Sequence, residues 1–239
     1  MGEPDLSLLY RDTQARLAAL IAGLDATALG TPVPACPGWS VQDVVAHELA
    51  ITEDALAGRL TGPPDDEETA AQVARFRGHD IGDMLATWAQ TTPPFSDVVG
   101  AFGIWPAVID LASHEQDIRG ALGRPGERDS KVVRVCAGAV LSVLAPPVPV
   151  RITVEDAEFR AGPGEGAEFQ AGPGEGAEFR AGPGEGAELG LVTTRFEALR
   201  WRMGRRSRAQ MAAFDWSGDP APVLDHLVVF GPSATDIIE

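Results

Sequence analysis

Two carboxylates and an imidazole lie at helical spacing in the segment WPAVIDLASHEQDIRGALG, residues 105–123. At about 100° per residue, His114 lies about 40° from Asp110, and Asp117 lies about 20° to the other side. Leu111 and other apolar residues flank this stripe, so the three polar side chains are predicted to lie at the border of the buried face. Charged groups in that position are costly without a partner. The stripe is therefore a candidate ligand site whose charged groups need a partner.

A histidine on an earlier predicted helix is the candidate third ligand for a metal ion. His47 shares a helix face with Val44 and Ile51, so its side chain is predicted to point inward. Two inward histidines, with a carboxylate four residues before one of them, match a three-ligand site on facing helices that leaves coordination positions open. The proposed metal ligands are His47, Asp110 and His114.

The residues leave several alternatives open. Asp117 is either a supporting group that fixes an imidazole tautomer or the carboxylate ligand in place of Asp110. Asp54, two turns after His47 on the same face, is a weaker candidate for a fourth ligand. A buried His–Asp hydrogen-bond cluster without a metal also fits the pattern. Cys36 has no histidine close to it in sequence and is expected to be an unreactive free thiol.

Four helices are predicted to position these residues. Residues 6–24 carry apolar side chains at helical spacing. Ser40 is predicted to cap a second helix, with Asp43 completing a capping box and the helix running to about residue 60. Residues 68–90 offer one helix or two, whereas TTPPFSDVVGAFG is predicted to be an irregular lead into the last helix. Four helices in about 125 residues predict a helical bundle.

The second half of the chain has a different character and predicts a small α+β domain. It combines helix-like segments with RITVEDAEFRAG, which alternates like a strand. Residues 157–186 hold three copies of a ten-residue repeat, which is interpreted as a neutral expansion of one strand and turn. The predicted fold class is α + α/β in two domains, a four-helix bundle over residues 1–126 and an α+β domain over residues 127–239.

Composition limits the partners. The formal net charge of −16, from 35 acidic and 19 basic residues, would repel a phosphate backbone, so no nucleic acid is expected. No stretch approaches the length of a membrane span, and the N-terminus lacks a basic segment before an apolar run. The protein is therefore expected to be cytoplasmic and to bind no membrane. The two cysteines, Cys36 and Cys136, form no CxxC motif and are expected to be reduced.

Three motifs together resemble the mycothiol-dependent maleylpyruvate isomerase family. They are CPGWSVQDVVAHELA, the D-x-x-x-H-x-x-D pattern around His114, and the later pair GRRSRAQ and FDWSGDP. The resemblance extends over nearly the whole chain. The resemblance implies a DinB-like four-helix bundle that binds a divalent metal, usually zinc, followed by a smaller domain similar to sterol-carrier proteins. The metal triad of the family falls on His47, Asp110 and His114, with Asp110 standing where the family usually has glutamate.

The resemblance also implies a chemistry. An open zinc position can bind the thiol of mycothiol and hold it as a thiolate nucleophile, which adds reversibly to an activated substrate. The family uses an arginine of the second domain near the substrate carboxylates, and the candidates are Arg205, Arg206 and Arg208. The expected function is a zinc- and mycothiol-dependent isomerase or transferase acting on a small electrophile. The alternatives are a non-catalytic protein that binds a metal or small ligand, and a metal-dependent hydrolase that uses bound water.

Overall fold

The computed structural model describes residues 3–60, 62–164 and 188–239. They form two compact units. One consists of Asp5–Gly126 with Glu239, and the other of Glu127–Ile238 with residues 3–4. Most of the ten-residue repeat lies outside the described residues. The interpretation of the repeat as a neutral expansion of one strand and turn concerns those residues and stays a prediction. In the part of the chain that the structure describes, no helix has the length and apolar character needed to cross a membrane.

The first unit is helical. Its helices are α1 (Leu6–Ala22), α2 (Ala26–Leu29), α3 (Val41–Leu56), α4 (Asp66–Arg75), α5 (Ile81–Phe102) and α6 (Trp105–Ala121). The four long helices α1, α3, α5 and α6 pack into a bundle, and α2 and α4 lie against α3. Large apolar side chains from all four fill the interior, among them Leu17, Leu49, Trp88 and Leu111. The predicted four-helix bundle is therefore confirmed.

The second unit combines helices with a small sheet. Its elements are α7 (Lys131–Ser142), β1 (Val150–Thr153), β2 (Glu158–Ala161), β3 (Leu189–Val192), α8 (Arg195–Arg202), α9 (Arg208–Ala212), β4 (Asp215–Trp216) and a 3₁₀ turn at Leu224–His226. The strands lie in the order β2-β1-β3-β4, and β1 is antiparallel to β2 but parallel to β3. RITVEDAEFRAG thus forms a hairpin of two strands. The predicted α+β domain, and with it the two-domain fold class, is confirmed.

The start of α3 follows from its sequence. The Ser40 N–H donates to Asp43 Oδ2 at 2.8 Å, and the Asp43 N–H donates to Ser40 Oγ at 3.2 Å, as the capping box requires. The helix ends at Leu56, earlier than predicted, because Gly58 turns the chain with a φ of +67°. These two signals place His47 in the second turn of α3, on its buried side.

One prediction about the bundle is wrong. TTPPFSDVVGAFG is not an irregular lead, because α5 continues through Pro93 and Pro94 to its end. A proline inside a helix costs about 3 kcal/mol, since it removes a hydrogen bond and crowds the preceding turn. Both prolines lie on the exposed side, whereas Phe95 and Val99 are buried in the bundle. The buried apolar contacts outweigh the local penalty.

Asp54, considered above as a fourth metal ligand, is the centre of an ion-pair cluster instead. This buried carboxylate accepts hydrogen bonds from Arg59 Nη2 at 2.5 Å, Arg75 Nη1 at 2.8 Å and Gln72 Nε2 at 3.0 Å. Burial opposes its ionisation, but the hydrogen bonds from Arg75, Arg59 and Gln72 outweigh burial and lower the pKa of Asp54. The cluster ties α3 to α4.

The Asp54→Asn variant is expected to be less stable than the parent by about 1–3 kcal/mol at neutral pH, because charge-assisted hydrogen bonds are lost. The pKa of Asp54 is lower in the folded protein than in the unfolded chain. Its stabilisation is therefore present above the ordinary aspartate pKa and is lost as the pH falls through the lowered one. Urea unfolding at neutral and acidic pH measures the difference, with Asp12→Asn on the exposed face of α1 as the control. A difference that does not change with pH would contradict this account.

Candidate metal centre

Helices α3 and α6 bring the three predicted ligands together. His47 Nε2 lies 3.5 Å from Asp110 Oδ2, and His114 Nε2 lies 3.5 Å from Asp110 Oδ1. One donor atom from each of the three side chains lies within 4.8 Å of the other two. Both histidines are 5% exposed, whereas the Asp110 side chain is 32% exposed. The cluster is therefore enclosed by the bundle on the histidine side and open to solvent at Asp110.

The distances fit a shared cation better than direct hydrogen bonds. An N–H···O hydrogen bond spans about 2.7–3.2 Å, so the 3.5 Å separations are too long for one. Around a tetrahedral zinc ion with bonds of about 2.0–2.2 Å, neighbouring ligand atoms lie about 3.3–3.6 Å apart. Each oxygen of Asp110 faces a different imidazole, so the aspartate side chain is long enough for this position. The donor set fits a divalent ion such as zinc, with room for a further ligand.

Asp117 lies on the other side of the His114 ring. Its Oδ2 is 3.0 Å from His114 Nδ1, and the carboxylate is buried. A carboxylate in this position accepts the Nδ1 proton, which leaves the lone pair of Nε2 directed toward Asp110. Of the two alternatives that the sequence left open, this geometry favours Asp117 as the support and Asp110 as the ligand.

A third carboxyl group lies beside the cluster. Glu48 follows His47 on α3 and is fully buried. Burial, and then the negative charges of Asp110 and Asp117, raise the pKa of Glu48 well above its ordinary value. A cation held by the cluster would offset the negative charges of Asp110 and Asp117 that oppose the ionisation of Glu48.

The residues just before α3 contribute two contacts that the sequence did not predict. The Trp39 ring lies 5.1 Å from the His47 ring and 6.4 Å from the His114 ring, measured between centroids. Cys36 Sγ lies 3.7 Å from His114 Nδ1 and 3.6 Å from Asp117 Oδ2. The expectation for Cys36 considered only its sequence neighbours. The CPGW motif was the available signal, since it carries both residues.

The two imidazoles are held differently. His114 is fixed by its hydrogen bond to Asp117, whereas His47 Nδ1 is buried and has no hydrogen-bond partner among the described residues. Packing against Trp39 and the edge-on contact with His114, at 5.4 Å between ring centroids, hold the His47 ring. His47 is therefore oriented by its aromatic neighbours.

The predicted arginines lie after α8 in the second unit. Arg206 is buried, and its Nε and Nη2 donate to the two carboxylate oxygens of Glu197, each at 2.7 Å. Arg205 donates to a main-chain carbonyl of its own turn, and Arg208 pairs with the exposed Asp225. Binding of a substrate carboxylate by Arg205 or Arg206 stays a prediction.

The comparisons with known proteins agree with this architecture. Residues 10–108 match the model of a family described as the mycothiol maleylpyruvate isomerase N-terminal domain. No curated protein sequence matches the chain. Two solved structures match it, the mycothiol-dependent maleylpyruvate isomerase and a variant of that enzyme with a histidine replaced by alanine. They are 13% and 12% identical to this chain, each with a TM-score of 0.55, and the matches cover 86% of this chain and 92% of theirs. Such a likeness shows a shared fold. The N-terminal helical unit therefore belongs to the mycothiol maleylpyruvate isomerase N-terminal domain family.

Proposed function

We propose that this protein is an isomerase- or transferase-like enzyme that uses a divalent metal ion, most simply zinc, and the thiol mycothiol to act on a small electrophile. The observation that carries the proposal is the convergence of His47, Asp110 and His114 in a unit of this family. The structural relatives are named as mycothiol-dependent maleylpyruvate isomerases, which supports the same class of chemistry.

Each residue of the site has a distinct role in this proposal. His47, Asp110 and His114 hold the ion, and Asp117 keeps the Nδ1 proton of His114 in place so that Nε2 remains a ligand. When bound, the ion lowers the pKa of a thiol ligand and stabilises the thiolate, a nucleophile for electron-poor double bonds. Trp39 packs on both imidazoles and limits their movement. The exposed side of Asp110 leaves an approach for the thiol and the substrate.

A substrate carboxylate contact in the second unit would fall on Arg205 or Arg206, because a guanidinium binds a carboxylate with two parallel hydrogen bonds. Arg206 already makes such a pair with Glu197. A role for Arg206 would therefore require that a substrate compete with Glu197.

A thiol is expected to enter the coordination shell of the bound metal. Protein loaded with Co²⁺ should develop thiolate-to-cobalt charge-transfer absorption when mycothiol is added. The Cys36→Ser variant is the best background, because it removes the protein thiol nearest the site. The His47→Ala variant in the same background should show no such band. Turnover of a small electrophile should fall to background when either the metal or mycothiol is omitted.

The alternatives give different results in these measurements. Metal-dependent turnover that persists without any thiol would favour the hydrolase. A bound metal whose spectrum does not respond to thiols, together with no turnover, would favour the non-catalytic binding protein.

A further inference from the structure

We propose that Cys36, His114 and Asp117 form a second donor set, which binds thiophilic divalent ions such as Cd²⁺ in competition with the set of His47, Asp110 and His114. The two sets lie on opposite sides of the His114 ring and use different nitrogens of it. The proposal goes beyond the proposed function, since it rests on the geometry of this second set and on no reaction.

The three donor atoms are arranged as ligands of one ion would be. Cys36 Sγ is 3.7 Å from His114 Nδ1 and 3.6 Å from Asp117 Oδ2, and the last two atoms are 3.0 Å apart. Around a tetrahedral ion of zinc-like size, a sulfur ligand lies about 3.5–3.7 Å from a nitrogen or oxygen ligand. The two distances to sulfur match an ion of that size, and the short hydrogen bond between His114 and Asp117 would have to lengthen. Cd²⁺ is larger than Zn²⁺ and would lengthen all three separations slightly.

The backbone holds the sulfur in this place. The Cys36 N–H donates to the Val33 carbonyl at 3.0 Å, and the Trp39 N–H donates to the Cys36 carbonyl at 3.0 Å. The turn is therefore closed on both sides of the cysteine. His114 and Asp117 are buried, whereas Cys36 is partly exposed, so an ion can reach the set from the sulfur side.

Competition follows from the chemistry of one imidazole. A neutral ring carries one proton and offers one lone pair. His114 can therefore bind an ion of the first set through Nε2 or an ion of the second set through Nδ1, but not both. A thiolate selects soft ions, whereas the set of two imidazoles and a carboxylate has no sulfur to favour them. A thiophilic ion would release the thiol proton to solvent and bind the Asp117 carboxylate and the Nδ1 lone pair of His114. The Nδ1 proton would move to Nε2 by exchange with solvent, which withdraws His114 from the other set.

Titration of the metal-free full-length chain with Cd²⁺ tests the proposal through the ultraviolet thiolate-to-cadmium charge-transfer band. The parent and His47→Ala should both show the band, and Cys36→Ser and His114→Ala should not. Cys136→Ser is the matched control and should keep the band, because Cys136 is fully buried in the other unit. In the parent, Cd²⁺ should slow alkylation of Cys36 by at least about tenfold, since a metal-bound thiolate is withdrawn from reaction.

A folded parent that shows neither the band nor protection at saturating Cd²⁺ would overturn the proposal, as would a band that survives Cys36→Ser. Circular dichroism of each variant checks folding, and protection of the parent needs no variant at all. His47→Ala removes only the first donor set and Cys36→Ser only the second. Failure of this proposal is therefore distinguishable from failure of the proposed function.

Discussion

Replacing His47 or His114 with alanine is expected to abolish stoichiometric zinc binding while the helical content stays close to that of the parent. Loss of a group that only supports a metal-bound histidine typically weakens metal affinity about 10–100-fold. Loss of a ligand itself should therefore weaken zinc binding by more than about 100-fold. The bundle should stay folded, because its core consists of apolar side chains from four helices and neither variant removes any of these side chains.

Elemental analysis after dialysis measures the bound zinc, and far-ultraviolet circular dichroism measures the helix. The experiment is cleanest in the Cys36→Ser background, where the second donor set cannot retain metal. His79→Ala is the matched control, since His79 is exposed and lies outside both donor sets. If either variant of the triad retained a full equivalent of zinc, the assignment of the three ligands would be wrong.

Replacing Asp110 and Asp117 one at a time with asparagine should show which carboxylate binds the metal and which only supports His114. Asp110→Asn is expected to remove stoichiometric zinc, because both of its oxygens face the imidazole nitrogens and its charge offsets that of the ion. Asp117→Asn should keep zinc with an affinity lowered about 10–100-fold, since the amide oxygen still accepts the Nδ1 proton of His114. Asp110→Glu should keep stoichiometric zinc, because a carboxylate remains.

Dissociation constants from competition with a chelator of known affinity place these variants in order. The reverse order, with zinc lost in Asp117→Asn and kept in Asp110→Asn, would transfer the ligand role to Asp117. That outcome is the alternative that helical spacing alone left open.

The parts of the fold that the sequence predicted depend on interactions within one or two helical turns. Ser40 and Asp43 cap α3 through bonds between residues three apart, and Pro106 lies in the first turn of α6, where its missing N–H costs nothing. The course of α5 through Pro93 and Pro94 was not predictable in this way. Local rules assign a helix break there, and only the buried contacts of the other face of α5 reverse that assignment.

The candidate site also has a part that local spacing predicted and a part that depends on contacts between distant residues. The inward faces of His47 and His114 followed from apolar neighbours at helical spacing, and the same spacing added Asp110, four residues before His114. The family resemblance implies the same three residues. Cys36 and Trp39 were not assigned to the site, because their contacts with His114 join positions far apart in the chain. No periodicity connects a turn to a helix that follows it so much later.

The sequence by itself determined that Asp110, His114 and Asp117 share one stripe of α6, because the rotation per residue of a helix is constant. Only the tertiary structure decided which nitrogen of His114 faces which aspartate. That choice depends on the torsion angles of the side chains and on the packing of α3 and the CPGW turn against α6. It places Asp110 with His47 on one side of the ring and Asp117 with Cys36 on the other. The same three residues of one helix thus contribute, between them, to both proposed donor sets, which their spacing could not reveal.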